Sequence, residues 1–209
     1  MKKSYNKFVI LTVVASCVLL FSMIPIRKNV SEFHSVAEYN FYKTHTIVAP
    51  PIDSSIIFPT AGNCDGCHGY DPQMNGMVDS YGNDVNVNDD WRTSMMALSA
   101  KDPFWRAKVS HEILTNPSHS LELQTKCTSC HAPQGHFTAL LRGAEHYTID
   151  EMLADTTAMD GVSCGACHMK SAEDLDKLFS GEANYDTTRV LYGPYEIPFA
   201  PPMTNFVGF

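Results

Sequence analysis

The most continuous apolar pattern in the chain lies near its N-terminus. Residues 8–26 carry no charge and are mostly apolar, and basic residues flank this stretch on both sides. Its length exceeds the apolar region of an ordinary signal peptide and is close to that of a membrane-spanning helix. The basic N-terminal flank favours an orientation in which the rest of the chain is exported. We therefore expect residues 1–28 to form a signal anchor, with a cleaved signal peptide as the alternative.

Beyond this stretch the periodic apolar pattern is sparse. Most of the 12 Gly and 12 Pro residues fall here, and the alternation typical of strands is weak. The pattern predicts a linker over residues 29–59, in which His34 and His45 would be solvated, and one domain over residues 60–209. We expect this domain to be mostly α-helical, with long loops and little or no β-sheet.

The clearest helix signal begins at Asp102. Asp is a favoured N-cap, Pro103 suits the first helical position, and Asn116-Pro117 would end the helix near Thr115. Because residues three and four apart share a helix face, this helix carries one largely apolar stripe that contains a histidine. The members of this stripe are Phe104, Ala107, His111 and Leu114. We therefore expect His111 to face apolar surroundings.

Three further helices are predicted. They lie at Trp91–Ala100, in the segment that leads into Cys127, and at Ile149–Thr157. The first would place Trp91, Met95 and Leu98 on one face. It follows an acidic, Asn-rich loop, residues 79–90, which we expect to end in an Asp N-cap.

The composition limits the partners and the size of the core. The formal net charge is −8, which argues against nucleic-acid binding because that function requires a basic surface. A docking partner protein with a basic patch is the better match. A domain with so few periodic apolar runs would bury little surface by itself, so we expect bound cofactors to complete its core.

One motif, C-x-x-C-H, occurs three times in the predicted domain. This spacing is the attachment signature of c-type haem. Two thiols one helical turn apart can both bond to one edge of a porphyrin, and the following histidine can bind the iron from below. The predicted thioether cysteines are Cys64, Cys67, Cys127, Cys130, Cys164 and Cys167, and the predicted proximal ligands are His68, His131 and His168. We therefore expect three haem c groups.

Other uses of paired cysteines explain the pattern less well. Structural zinc needs two pairs that converge, and three pairs leave one unmatched. A thioredoxin-like site would have one pair beside a βαβ pattern, and short-range disulfides would give no reason for the histidine. The repetition itself favours haem.

Three irons need up to three further axial ligands from elsewhere in the chain. A second histidine gives a low reduction potential, methionine raises it, and an open position would allow catalysis. The candidates are histidines outside the motifs and two methionines of the first predicted helix: His111, His136, His146, Met96, and more weakly Met95 and His119. A core role remains the alternative for both methionines.

Three segments together carry a family resemblance. DWRTSMMALSAKDPFWRAKVSHE, KCTSCHAPQGH and DGVSCGACH resemble exported multihaem cytochromes c related to the tetrahaem cytochrome of ammonia-oxidising bacteria. In that family a W-x-x-S-x-H-A segment commonly gives a distal haem ligand, and Met96 stands here where histidine is usual. The resemblance therefore implies Met96 as a ligand, and it implies ligand roles for His111, His136 and His146. Relatives continue beyond YGPYEIPFAPPMTNFVGF toward another C-x-x-C-H, so a C-terminally truncated member is an open alternative.

These observations lead to one expected function. We expect a periplasmic, multihaem electron-transfer protein, held at the inner membrane by residues 8–26 or soluble after cleavage. Its partners would be a membrane quinol-linked donor and an exported acceptor. The alternative is a haem enzyme that acts on a small nitrogen or sulfur compound at a five-coordinate haem. No C-x-x-C-K motif marks such a site, which favours the carrier.

Overall fold

The computed structural model describes residues 50–173, 176, 178–185 and 187–196. The chain divides into two units, Met1–His45 and Thr46–Phe209, and all described residues belong to the second. The predicted anchor, the linker histidines His34 and His45, and the last residues of the chain lie outside the described part. Within it, no helix has the length and apolar character needed to cross a membrane.

The described residues form short α-helices joined by loops. The helices are α1 Gly62–His68, α2 Val87–Arg92, α3 Met95–Leu98, α4 Pro103–Thr115, α5 Ser120–His131, α6 Pro133–Leu141, α7 Ile149–Leu153, α8 Thr156–Met159 and α9 Cys164–His168, and one 3-10 turn spans Pro117–His119. Strand pairing in the described ranges consists of isolated bridges, three of which have both partners described. The prediction of a mostly α-helical domain with little or no β-sheet is confirmed.

Helix α4 forms where the sequence predicts it. The Asp102 carboxylate accepts the backbone N–H of Phe104, and Pro103 occupies the first turn. The helix ends at Thr115, directly before Asn116. Local chemistry therefore determines both ends. The predicted helix before Cys127 is also present, as α5.

Two other predicted helices are each divided in two. Ser94 separates α2 from α3, because its side chain accepts the N–H of Ala97 and begins a new helix. The predicted helix at Ile149–Thr157 is interrupted in the same way, since Asp155 caps α8. The predicted Asp N-cap after the acidic loop was wrong: the cap of α2 is Asn86, whose side chain accepts the N–H of Asp89.

The apolar stripe of α4 is exposed in the polypeptide. The exposed fractions of Phe104 and Leu114 are 81% and 80%, and His111 is exposed between them. The prediction that His111 faces apolar surroundings within the polypeptide was therefore wrong. Instead the helix buries Val109, which lies on another face.

The core is small and holds few large side chains. One cluster contains Ala100, Ala132, Tyr147, Met152 and Ala158, and a second contains Ile57, Phe58 and Met169. Among the described residues, six of the twelve buried hydrophobic side chains are alanine, whereas eighteen large hydrophobic side chains are exposed. The polypeptide alone therefore encloses little apolar volume.

The loop that precedes the third C-x-x-C-H motif is hydrogen-bonded to the segment α2–α3. The indole of Trp91 donates to the carbonyl of Val162 at 2.8 Å, and the N–H of Val162 donates to the carbonyl of Met96 at 3.0 Å. Gly161 permits this approach with a φ of +73°, because a Cβ there would lie 2.6 Å from the Met96 oxygen. Two of the segments that carry the family resemblance are therefore in direct contact.

Candidate cofactor-attachment site

All three C-x-x-C-H motifs lie on helices. The first lies within α1, the second forms the C-terminal end of α5, and the third is the whole of α9. In each motif the first cysteine is half-buried and the second is exposed, and none forms a disulfide. An exposed thiol one turn beyond a half-buried one leaves both cysteines available to a group at the surface of the helix.

The histidine of the second motif is held on both sides. The ring Nδ1 of His131 lies 3.1 Å from the carbonyl oxygen of Ser99. A carbonyl can only accept, so in the neutral imidazole Nδ1 carries the proton and Nε2 keeps a free lone pair. The indole of Trp105 stacks on this imidazole at 4.2 Å between ring centroids and 8° between ring planes. The Ser99 hydroxyl also donates to the His131 carbonyl at 2.7 Å, which fixes the end of α5.

The histidine of the third motif has the same kind of partner. The ring Nδ1 of His168 lies 2.8 Å from the carbonyl oxygen of Tyr192, and the N–H of Tyr192 donates to the His168 carbonyl at 2.6 Å. The imidazole is again protonated on Nδ1, with Nε2 free. A metal-bound histidine commonly has this arrangement, since an outer hydrogen bond sets its tautomer and its orientation.

The first motif is positioned through its cysteine. The thiols of Cys64 and Cys164 interact, and this interaction lowers the pKa of Cys64 and raises that of Cys164, which burial also raises. The first and third attachment points are therefore in contact. The carboxylate of Asp160 accepts the backbone N–H of Ala61 at 2.8 Å, so it ties the start of α1 to the loop before α9. His68, at the end of α1, is half-buried.

Two of the predicted distal ligands contact α5. Nδ1 of His136 lies 3.2 Å from the Thr128 hydroxyl, and Nδ1 of His146 lies 3.2 Å from the Thr125 hydroxyl. The His136 side chain is buried, and this burial lowers its pKa to about 4. Its imidazole is therefore neutral near pH 7, as an iron ligand must be.

The other predicted distal ligands are exposed. Met95 and Met96 have exposed fractions of 72% and 50%, and His111 and His119 are exposed on α4 and the following turn. The structure does not bring these four side chains together with a motif histidine through any hydrogen bond or ring contact in the described ranges. Their ligand roles remain predictions.

Several residues that support the motifs were missed in the sequence. Ser99 and Tyr192 act through backbone carbonyls, and a carbonyl carries no residue-specific signal. Trp105 lies 26 positions before the histidine it contacts, beyond the reach of any local pattern. Thr125 and Thr128 could have been noticed, because they lie on one face of the helix that carries the second motif.

No group of three or more His, Cys, Asp and Glu side chains converges as a metal-ion site within the described ranges. Comparison of the chain with protein-family models, with curated proteins and with solved structures gave no match.

Proposed function

We propose that this protein is a c-type cytochrome that carries three covalent haems and transfers single electrons. The observation that carries the proposal is the shared design of the motif helices. Each presents two cysteines one turn apart, and both His131 and His168 direct Nδ1 to a carbonyl and leave Nε2 free. Bound haem c would supply one-electron chemistry at its iron.

The residues around the motifs fit such a group. Trp105 offers a flat apolar surface against His131, and the half-buried first cysteines place the attachment edge at the surface of the small core. The many exposed large hydrophobic side chains of the described part would lose contact with water if flat apolar groups covered them. A chain that folds around porphyrins is expected to have this deficit of internal apolar volume.

The contact between Cys64 and Cys164 supports the transfer of electrons within the protein. It places two attachment points side by side, and electron tunnelling becomes much faster as the distance between redox centres decreases. This contact therefore supports electron transfer between haems attached at the first and third motifs.

The surface charge bears on the partners. A net charge of −8 favours donors or acceptors with basic docking patches, and their association should weaken as salt screens the attraction. We propose a periplasmic location, a membrane quinol-linked donor and an exported acceptor. Periplasmic export agrees with the predicted signal anchor at residues 8–26.

The direct test is the haem count of the full-length protein, produced with a c-type maturation system. Intact mass and the pyridine haemochrome should both give three haems per chain. Cys127→Ser combined with Cys130→Ser should remove one haem, whereas Cys17→Ser, which changes the cysteine outside the motifs, should remove none. Fewer than three haems in the parent protein would contradict the proposal.

A second measurement separates the carrier from the enzyme. Optical spectra are recorded for the oxidised protein with nitrite and for the reduced protein with carbon monoxide. Low-spin spectra that these ligands leave unchanged are expected for a carrier. A high-spin haem that binds either ligand readily would favour the enzyme.

A further inference from the structure

Two threonines on one face of α5 each contact a histidine. Thr125 and Thr128 are three residues apart, so their side chains lie one above the other on the helix. Their hydroxyls lie 3.2 Å from Nδ1 of His146 and 3.2 Å from Nδ1 of His136, respectively. The tautomers of both imidazoles follow from where each hydroxyl places its single proton.

Thr125 can only accept a hydrogen bond from His146. Its hydroxyl donates to the carbonyl of Leu121 at 2.7 Å and accepts the backbone N–H of Tyr147 at 3.2 Å. With its proton already used, the oxygen has one remaining lone pair for the imidazole. Nδ1 of His146 therefore carries the proton, and Nε2 keeps its lone pair.

Thr128 imposes the same tautomer on His136. Three carbonyl oxygens surround its hydroxyl: those of Gln124 at 2.9 Å, Thr125 at 3.0 Å and Tyr147 at 3.3 Å. Carbonyls only accept, so they compete for the hydroxyl proton, and the imidazole is the one neighbour with a proton to give. Nδ1 of His136 therefore donates to Thr128, and its Nε2 is free.

We propose that Thr125 and Thr128 are positioning residues that hold His146 and His136 as haem ligands with Nε2 directed to iron. This inference rests on the proposed function. Helix α5 would then carry the proximal ligand His131 and also set the tautomers of two further ligands. Four histidines then have an acceptor on Nδ1: His131 and His168, whose acceptors are backbone carbonyls, and His136 and His146, whose acceptors are threonine hydroxyls.

The test compares valine and serine variants in the haem-loaded, full-length protein. Thr128→Val removes the acceptor and keeps the side-chain shape, whereas Thr128→Ser keeps the hydroxyl. Thr138→Val is the matched control, because Thr138 is also buried but its hydroxyl donates to Ser55. Thr125→Val is the second test variant, at a less buried position.

The readouts are haem content, low-temperature electron paramagnetic resonance, carbon monoxide binding and the free energy of unfolding. Thr128→Val and Thr125→Val should keep three haems, and each should gain a carbon monoxide-binding, high-spin signal at one of them. Loss of an outer hydrogen bond typically weakens ligation by about 10-fold or more. Thr128→Ser and Thr138→Val should stay low-spin.

Two results would overturn the inference while leaving the proposed function intact. One is low-spin spectra in both valine variants of a three-haem protein. The other is an equal high-spin gain in Thr138→Val, which would mean that any loss of packing has the same effect. A parent protein without haem would instead contradict the proposed function itself. If Thr128→Val fails to fold, Thr125→Val and Thr128→Ser decide the question.

Discussion

Replacement of Gly161 by alanine should separate the α2–α3 segment from the third motif. Gly161 has a φ of +73°, and an alanine Cβ there would lie 2.6 Å from the carbonyl oxygen of Met96 and 2.8 Å from that of Ala97. Both obstacles are backbone atoms, so no change of side-chain rotamer can relieve them. The main chain at Val162 must move away from Met96.

The expected cost follows from the contacts that this movement would break. A non-glycine residue in the left-handed region costs about 1 kcal/mol. The hydrogen bond from Val162 to Met96 and the one from Trp91 to Val162 would each lose about 1 kcal/mol. We therefore expect Gly161→Ala to lower the free energy of unfolding by about 3 kcal/mol.

The assay is guanidinium unfolding followed by far-ultraviolet circular dichroism, with Gly143→Ala as the control. Gly143 has a φ of +90° but no atom within 4 Å of its ideal Cβ, so its replacement carries the backbone cost alone. We expect a loss of about 1 kcal/mol there. If the two variants lose the same stability, the close approach of Gly161 to α3 does not stabilise the fold.

Three further changes test other parts of the site. Trp105→Ala should lower the midpoint potential of one haem in a redox titration, because water would reach the His131 imidazole that the indole covers. Trp105→Phe should lower this potential less, and equal potentials in the parent and Trp105→Ala would show that the indole does not shield the ligand. Gly135→Ala should destabilise the protein by about 2 kcal/mol in thermal unfolding, because the added Cβ would lie 2.4 Å from the Tyr147 hydroxyl and 2.5 Å from the Ala158 Cβ. An unchanged melting temperature would contradict this prediction. Burial raises the pKa of Asp160 above its ordinary value of 3.8. The free energy of unfolding of the parent, compared with that of Asp160→Asn, should therefore fall as the pH rises from 3.8 through the folded pKa. Parallel pH profiles of the two proteins would show that Asp160 contributes no such dependence.

What could be predicted from the sequence was local. The spacing of C-x-x-C-H and the Asp102-Pro103 start of α4 each involve residues within one or two helical turns, and the predicted α4 is present. The break at Ser94 was also local, because a capping serine ends the helix that apolar periodicity predicts as continuous. Short helices that end at caps are therefore under-predicted by periodicity alone.

What could not be predicted depends on long-range contacts. The partner of His131 is a carbonyl 32 positions away, and that of His168 is a carbonyl 24 positions away. Every residue has a backbone carbonyl oxygen, so no residue type in the sequence marks such a partner. The hydroxyl partners differ in this respect, because threonine is visible in the sequence and its place on α5 follows from helix geometry.

The proposed function gives a reason for the apolar stripe of α4, which was wrongly expected to be buried within the polypeptide. Phe104 and Leu114 are exposed at the two ends of this stripe, and His111 lies between them. A helix rarely keeps large apolar side chains on one face at helical spacing unless that face is buried in the working protein. On the proposed function, a haem would cover this face, and His111 in the middle of the stripe would be a candidate ligand of its iron. The periodicity would then describe burial against the cofactor and not burial within the polypeptide.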